Sequence, residues 1–551
     1  VTISVPVAPP AAPVLRVPRA ARALDRLALV LIAVIAAIAA CTFRDYGLGW
    51  DDYTHAQYGD LLLALYTSGF TDTRAFSFVN LYMYGGGFDL LAALVAKALP
   101  FDLFETRRLV GAAVGLLGLF VTWRIGRRVG GPLAGLAALL LLATCPLFYG
   151  HMFINAKDLP FAVSMTVLLL ALVRAFDEYP QPSAKTGLLF GIGLGLAIGS
   201  RVIGGLSVLY ALAAFALIVG GEARTLGLRA AAARAGRFVF ALLPGLILAY
   251  AVLALIWPWA VLEPLNPLRA VEYFSHFFEK PWKEMFGGAV VSVPDMPRSY
   301  VPTLFALKLP ELMLILGLGG IAGALVALGR RDVPLRKRAT LLLLALAATV
   351  PILFTVLTRP AMYNGIRHFI FVAPPLAVLG GLAAAWLAER LAVAPRPGAA
   401  GAGLLLLAGV GLPIYEMVRL HPYQYTHFNS IAGGIRAAED RYMLDYWGLA
   451  FKQAAQHLRQ RLTAGLEVPS HRKWRVIVCG PERPAQVELG PEFETSWHNR
   501  DADFVMMTGE FYCAPLNAPV LVEIEREGVV FARVYDVRGR SISNLLTIPP
   551  P

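Results

Sequence analysis

The chain has 551 residues, of which 57% are hydrophobic and only 16% charged, with a formal net charge of +12 and a mean hydropathy of +0.61. A soluble protein of this length cannot bury so much apolar surface, so the composition excludes an ordinary cytosolic enzyme and indicates a polytopic membrane protein. The basic excess lies in short segments between apolar stretches, so no nucleic-acid partner is needed to explain it.

Residues 1–25 are rich in Val, Ala and Pro, carry Arg16, Arg19 and Arg22, and lack a convincing cleavage site before the first apolar run. They read as a cytoplasmic arm and not as a removed signal peptide. Stretches long enough to cross a bilayer fall near 26–43, 108–126, 131–149, 159–176, 186–200, 203–220, 237–257, 304–328, 339–357, 367–389 and 402–420, about eleven in all. Arginine clusters follow the second (Arg124, Arg127, Arg128), sixth (Arg224, Arg229, Arg234, Arg237) and eighth (Arg330, Arg331, Arg336, Arg338, with Lys337). By the positive-inside rule, segments 44–107, 258–303 and 421–551 then face outward, to the periplasm in a Gram-negative bacterial inner membrane.

Within the first outer segment, 52–66 and 88–99 repeat polar and apolar residues at helical spacing, which predicts two helices lying in the interface. A transmembrane domain over 26–420 is followed by an external domain over 421–551. The runs Trp474–Val478, Asp503–Met507, Val520–Ile524 and Val529–Tyr535 predict a small α/β fold there. Cys41 and Cys145 sit in apolar stretches, whereas Cys479 and Cys513 lie in this domain, where an oxidising compartment would permit a disulfide.

The polar residues near membrane level gather on the outward face. Asp51 and Asp52 open the first outer segment in "RDYGLGWDDYTH", with His55 one turn on. The turn after the third span holds His151, Asn155, Lys157 and Asp158; Arg201 interrupts an apolar run in "AIGSRVIGG". Later outer segments bring Arg298, Tyr300, Lys308, Arg367 and His368. Singly, such an Arg snorkels to headgroups, and Asp51, Asp52 or Asp158 serves as a helix cap. A divalent metal is a further reading of the Asp pair, although this stretch offers few oxygen ligands. Taken together, carboxylates and cations on one face suit a lipid-linked phosphate. The spans hold the tails, the cations hold the head, and a carboxylate deprotonates an acceptor hydroxyl without an obligatory metal.

The pair Asp51–Asp52, the two interfacial helices behind it, Asp158 before a Pro in the next outer turn, and the basic residue in "GSRVIGG" form an ordered set. So do "RHFIFVAPPLAVLGG" and, after the last span, "LHPYQYTHFNSIAGG" with "LDYWG". Over roughly 26–460 the set resembles the GT-C superfamily of membrane glycosyltransferases, in the branch of protein O-mannosyltransferases and lipid A aminoarabinose transferases. The resemblance implies an inverting transferase using a polyprenyl-phosphate sugar, a glycan, lipid or protein acceptor, and no cofactor. It makes Asp51 the base, with Asp52 standing where the family has Glu. Asp158 would organise the site, and Arg201 with Lys157 would hold the phosphate, ahead of Arg367 and Lys308. Where related enzymes often have a Pro-rich or Lys-containing sequence between the interfacial helices, this chain reads "YMYGGGFD". A flippase of lipid-linked saccharides and a non-catalytic envelope scaffold are the competing readings. A transporter would place charges deep within spans, and no internal repeat of the inverted-transporter kind is found.

Overall fold

The computed structural model describes residues 19–276, 282–393, 395–467, 472–496 and 501–546. Most of the arm over 1–25 therefore lies outside the described residues. Among those described, nine helices are long and apolar enough to cross a membrane. The two further crossings expected from sequence have clear origins. The stretch Leu103–Ala143 reverses at Gly131, whose φ of 87° is open to glycine. Its two arms lie side by side, so that a Cβ on Gly126 would meet the Ala134 carbonyl at 3.0 Å. Ala184–Ser200 is apolar but only 17 residues long. It packs on Leu228–Ile256 through glycines four residues apart, where a Cβ on Gly191 or Gly195 would meet a facing carbonyl at 2.5 Å.

The span expected at 304–328 is shorter, because Pro310 separates a helix over Tyr300–Lys308 from the crossing Glu311–Gly329. The predicted interfacial helices are present as Asp52–Thr67 and Gly87–Ala96. They cross where a Cβ on Gly59 would strike the Asp89 carbonyl at 2.6 Å. The glycines of "YMYGGGFD" serve a similar purpose: a Cβ on Gly85 would lie 1.6 Å from the Gly199 carbonyl, two residues before Arg201.

The arginine clusters share one end of the bundle. Arg127 pairs with Asp25 at 2.6 Å and Arg128 with Asp177 at 2.5 Å, while Arg336 donates to the Asp177 carbonyl. The Asp51 loop lies at the other end of the first crossing. The last crossing, Arg396–Leu420, is loosely attached, with only Pro413 and Leu420 buried among its described residues.

A short hairpin, β1 (Lys283–Phe286) and β2 (Ala289–Ser292), precedes the Tyr300–Lys308 helix. The C-terminal domain is a five-stranded sheet of β3 (Trp474–Cys479), β4 (Phe493–Ser496), β5 (Phe504–Thr508), β6 (Val520–Arg526) and β7 (Val529–Asp536), ordered β4-β3-β5-β7-β6. The first three strands are parallel and the last two pair antiparallel. Four of them match the predicted runs; β4 has only four residues, Phe-Glu-Thr-Ser, too short to show an apolar alternation. Cys479 and Cys513 are disulfide-bonded.

Candidate active site

The loop ahead of the Asp52–Thr67 helix separates the two adjacent carboxylates. Asp52 is buried, with 3% of its side chain exposed, and both oxygens take the Arg108 guanidinium at 2.8 Å while Oδ2 also accepts from the Gly49 amide at 2.8 Å. Asp51 is 35% exposed and makes no side-chain cap bond to the helix it precedes. Its Oδ2 lies 3.3 Å from Lys157 Nζ and 3.7 Å from Arg367 Nη1. Partial desolvation pushes its pKa up, but Lys157, Arg367 and His55 outweigh this and hold the carboxyl well below the usual carboxylate range.

Asp158 opens the next crossing helix, and Asn155 does the capping there. The Asn155 side-chain oxygen accepts from the Lys157 and Asp158 amides at 2.9 and 2.6 Å. The Asp158 carboxylate is thereby free for Arg201 at 2.5 Å, Arg367 at 3.3 Å and the Asn155 amide nitrogen at 2.8 Å. Lys157, Arg201 and Arg367 thus surround Asp51 and Asp158, three cations to two carboxylates. Nε of both Arg201 and Arg367 is buried without a hydrogen-bond partner. Tyr84 lies under Lys157 and Arg201, at 5.3 and 5.9 Å from its ring centre, and Trp447 under Arg367 at 4.6 Å.

His151 joins this group from behind. Its Nε2 is 3.2 Å from the Tyr446 hydroxyl and its Nδ1 is 3.2 Å from the Asn155 amide nitrogen. Burial pushes its pKa down to about 3, with Arg367 and Lys308 adding to the shift and Asp158 opposing it, so the ring is neutral. His368 packs its ring 4.9 Å from Tyr363, which also lies against Arg367.

Four expected residues are placed elsewhere. His55 bonds Asp89 at 2.6 Å, which fastens the two interfacial helices together, and Arg107 of Leu103–Ala143 bonds the other Asp89 oxygen at 2.5 Å. Tyr300 donates to Glu284 at 2.6 Å, and Lys308 lines a small cavity with both. Neither Tyr300 nor Lys308 contacts Asp51 or Asp158. The Lys308 Nζ sits 4.2 Å over the Phe428 ring, and burial lowers its pKa to about 7. Position at an outward helix end does not reveal which of two neighbouring cavities a side chain enters. Arg298 caps the Leu335–Thr358 helix through the Val356 and Leu357 carbonyls. Sequence reasoning passed over Tyr84, Arg108, Tyr446 and Trp447 as site components; the only local signal was the aromatic content of "YMYGGG" and "LDYWG". Among the described residues, no group of three or more His, Cys, Asp or Glu is arranged to hold a metal.

The polytopic bundle with two short helices after its first crossing and a C-terminal sheet domain is a GT-C-like architecture. Residues 88–257 match the model of the family described as dolichyl-phosphate-mannose-protein mannosyltransferase. The fold is shared with ArnT from Cupriavidus metallidurans in the apo state: 14% identity, 94% of this chain and 98% of that chain covered, TM-score 0.51. ArnT bound to undecaprenyl phosphate aligns at 13% identity over 93% and 98% of the two chains, TM-score 0.48. The oligosaccharyltransferase of Archaeoglobus fulgidus in its apo form aligns at 13% identity over 82% and 62%, TM-score 0.45. No curated protein sequence matches the chain. The family model matches less than half of the chain, and what the whole chain shares with ArnT is the GT-C-like fold of an integral membrane protein.

Proposed function

We propose that the chain transfers a sugar from a polyprenyl-phosphate carrier to a hydroxyl acceptor at the outer, periplasmic face of a bacterial inner membrane. The observation that carries this reading is the surplus of cations beside a half-exposed carboxylate. Lys157, Arg201 and Arg367 exceed Asp51 and Asp158 by one charge, and two guanidinium N–H groups are buried without an acceptor. A phosphate monoanion or diester supplies the missing charge and acceptors. The assignment of the membrane side is supported by the basic clusters, which lie at the bundle end opposite to Asp51, the end that the positive-inside rule favours for the cytoplasm.

In the transfer, the acceptor oxygen attacks the anomeric carbon as its proton passes to Asp51. The bond from that carbon to the phosphate oxygen breaks, and the lipid phosphate leaves carrying the electron pair. Arg201, Arg367 and Lys157 stabilise its charge. Asp158 is a poor base here, because two arginines and Asn155 occupy its oxygens; it aligns the guanidinium groups. Displacement from the opposite side inverts the anomeric carbon. Bound phosphate competes with Asp51 for Lys157, which raises the basicity of Asp51 at the moment it is needed.

The test is release of polyprenyl phosphate from a panel of polyprenyl-phosphate sugars by the purified protein, with Asp51→Asn alongside. Loss of release in the variant, with undecaprenyl phosphate still bound, supports the reading. Equal release by both overturns the role of Asp51. Lipid-linked sugar crossing liposomes without release favours the flippase.

A further inference from the structure

The segment Asp445-Tyr-Trp-Gly448 lies beyond the last crossing, in the C-terminal domain, yet it is built into the site. Its own shape is fixed by Asp445, which accepts from the Gly448 and Leu449 amides at 3.0 Å and the Ala450 amide at 3.1 Å. The Leu444 amide donates to Glu510 at 3.0 Å, which ties the segment to the turn following β5. From this rigid base Trp447 makes three separate contacts with the two halves of the site. Its carbonyl accepts from the Trp50 amide, the residue before Asp51, at 3.3 Å. Its indole edge covers Gly49 so closely that a Cβ there would fall 1.5 Å from Cδ1. Its ring lies 4.6 Å from the Arg367 guanidinium carbon. Beside it, the Tyr446 hydroxyl reaches His151, which continues to Asn155 and Asp158.

We propose that Trp447 is a positioning residue of the transfer site: the C-terminal domain uses it to fix the separation between the Asp51 loop and Arg367. It touches no reacting atom. One surface holds the backbone that aims the base, and another holds the cation that meets the phosphate. Arg367 donates to carboxylates through Nη1 only, and its Nε has no partner, so the aromatic floor restricts the plane in which that free N–H points. The C-terminal domain is in this view a part of the active site and not an appended recognition module. The catalytic meaning rests on the proposed transfer reaction, whereas the mechanical claim does not.

The full-length protein in detergent serves for both arms of the test, with Trp447→Phe, Trp447→Ala and Gly49→Ala variants and the Gly49→Ala/Trp447→Ala double. In the first arm, hydrogen exchange of peptides covering 46–52 is expected to rise about tenfold in Trp447→Ala while β3 peptides stay protected. Trp447→Phe keeps exchange within about threefold of the parent. In the second arm, undecaprenyl phosphate is expected to bind about tenfold more weakly to Trp447→Ala and within about threefold of the parent to Trp447→Phe. Gly49→Ala alone forces loop and indole apart and weakens binding. The double variant removes that clash, so its loss is smaller than the product of the two single losses. Unchanged exchange over 46–52 in Trp447→Ala, or losses that simply multiply in the double, overturns the proposal. If Trp447→Ala fails to fold, Gly49→Ala carries the exchange arm, and unchanged exchange there overturns the proposal as well. A parent protein that does not bind undecaprenyl phosphate overturns the donor reading, and the exchange arm still decides the role of Trp447.

Discussion

Replacing Asp52 by Asn is expected to cost stability, whereas the same change at Asp51 is expected to cost turnover. Asp52 neutralises Arg108 through two 2.8 Å bonds, both side chains are 3% exposed, and the Gly49 amide depends on the same carboxylate. Breaking one partner of such a buried pair costs about 3–5 kcal/mol, because the remaining charge stays desolvated. Asn retains one acceptor, so the lower end of that range applies. Asp51 holds Lys157 in a partly solvated contact, and its loss alters stability by no more than about 1 kcal/mol. General-base removal lowers the chemical step about 10²–10⁴-fold. The assay pairs thermal unfolding in detergent, followed by loss of the monodisperse peak, with polyprenyl-phosphate release per folded molecule. An Asp52→Asn protein as stable as the parent but inactive, beside an active Asp51→Asn, would refute the division of roles. A third variant tightens the test: Asp52→Leu with Arg108→Met removes both charges and should be more stable than Asp52→Asn.

Further outcomes are expected. Arg201→Gln and Arg367→Gln should each weaken undecaprenyl phosphate binding by about tenfold or more, as loss of a charged hydrogen bond of about 1.5–3 kcal/mol requires, measured by the ligand-dependent rise in unfolding temperature. Burial raises Glu510 to about 8 and Glu284 to about 7, above the ~4.3 of a free Glu. Their contribution to stability is complete below that free value and is lost as pH rises through the folded values. Lys308, lowered to about 7 by burial, acts oppositely but only above pH 7, and Asp445, raised to about 6, acts in the same sense as the two Glu. Unfolding temperature should therefore fall between pH 5 and 7 in the parent and fall less in Glu510→Gln. Gly85→Ala would place a methyl on the Gly199 carbonyl; turnover is expected to drop as the Arg201 turn shifts, with Gly236→Ala, an open helical position without a positive φ, as the control for expression.

The crossings and the two helices after the first of them are legible in the sequence because hydropathy and helical period are local properties. The Asp51 loop, Asp158 and Arg201 stood out for the same reason: charge is rare in this chain. Which of two adjacent aspartates faces the site was not legible, because the deciding partner of Asp52 is Arg108, fifty-six positions away. Lys308 and Tyr300 carried the right residue types at the right depth, but the hairpin residue Glu284 draws them into a neighbouring cavity. Trp447 reaches the site only through the docking of a domain some four hundred residues downstream of Asp51, and no local pattern encodes that contact.

The loosely attached last crossing has a consequence for how the molecule can be divided. Arg396–Leu420 is the covalent route to the C-terminal domain, yet almost none of its described side chains is buried. The domain is seated instead by its own contacts with the Asp51 loop, His151 and Arg367. The tether thus supplies effective concentration and leaves geometry to the docked surfaces. A gene split in the short connection near 393–395 should yield two polypeptides that reassemble when both are inserted in one membrane, with a dose dependence that the intact chain lacks.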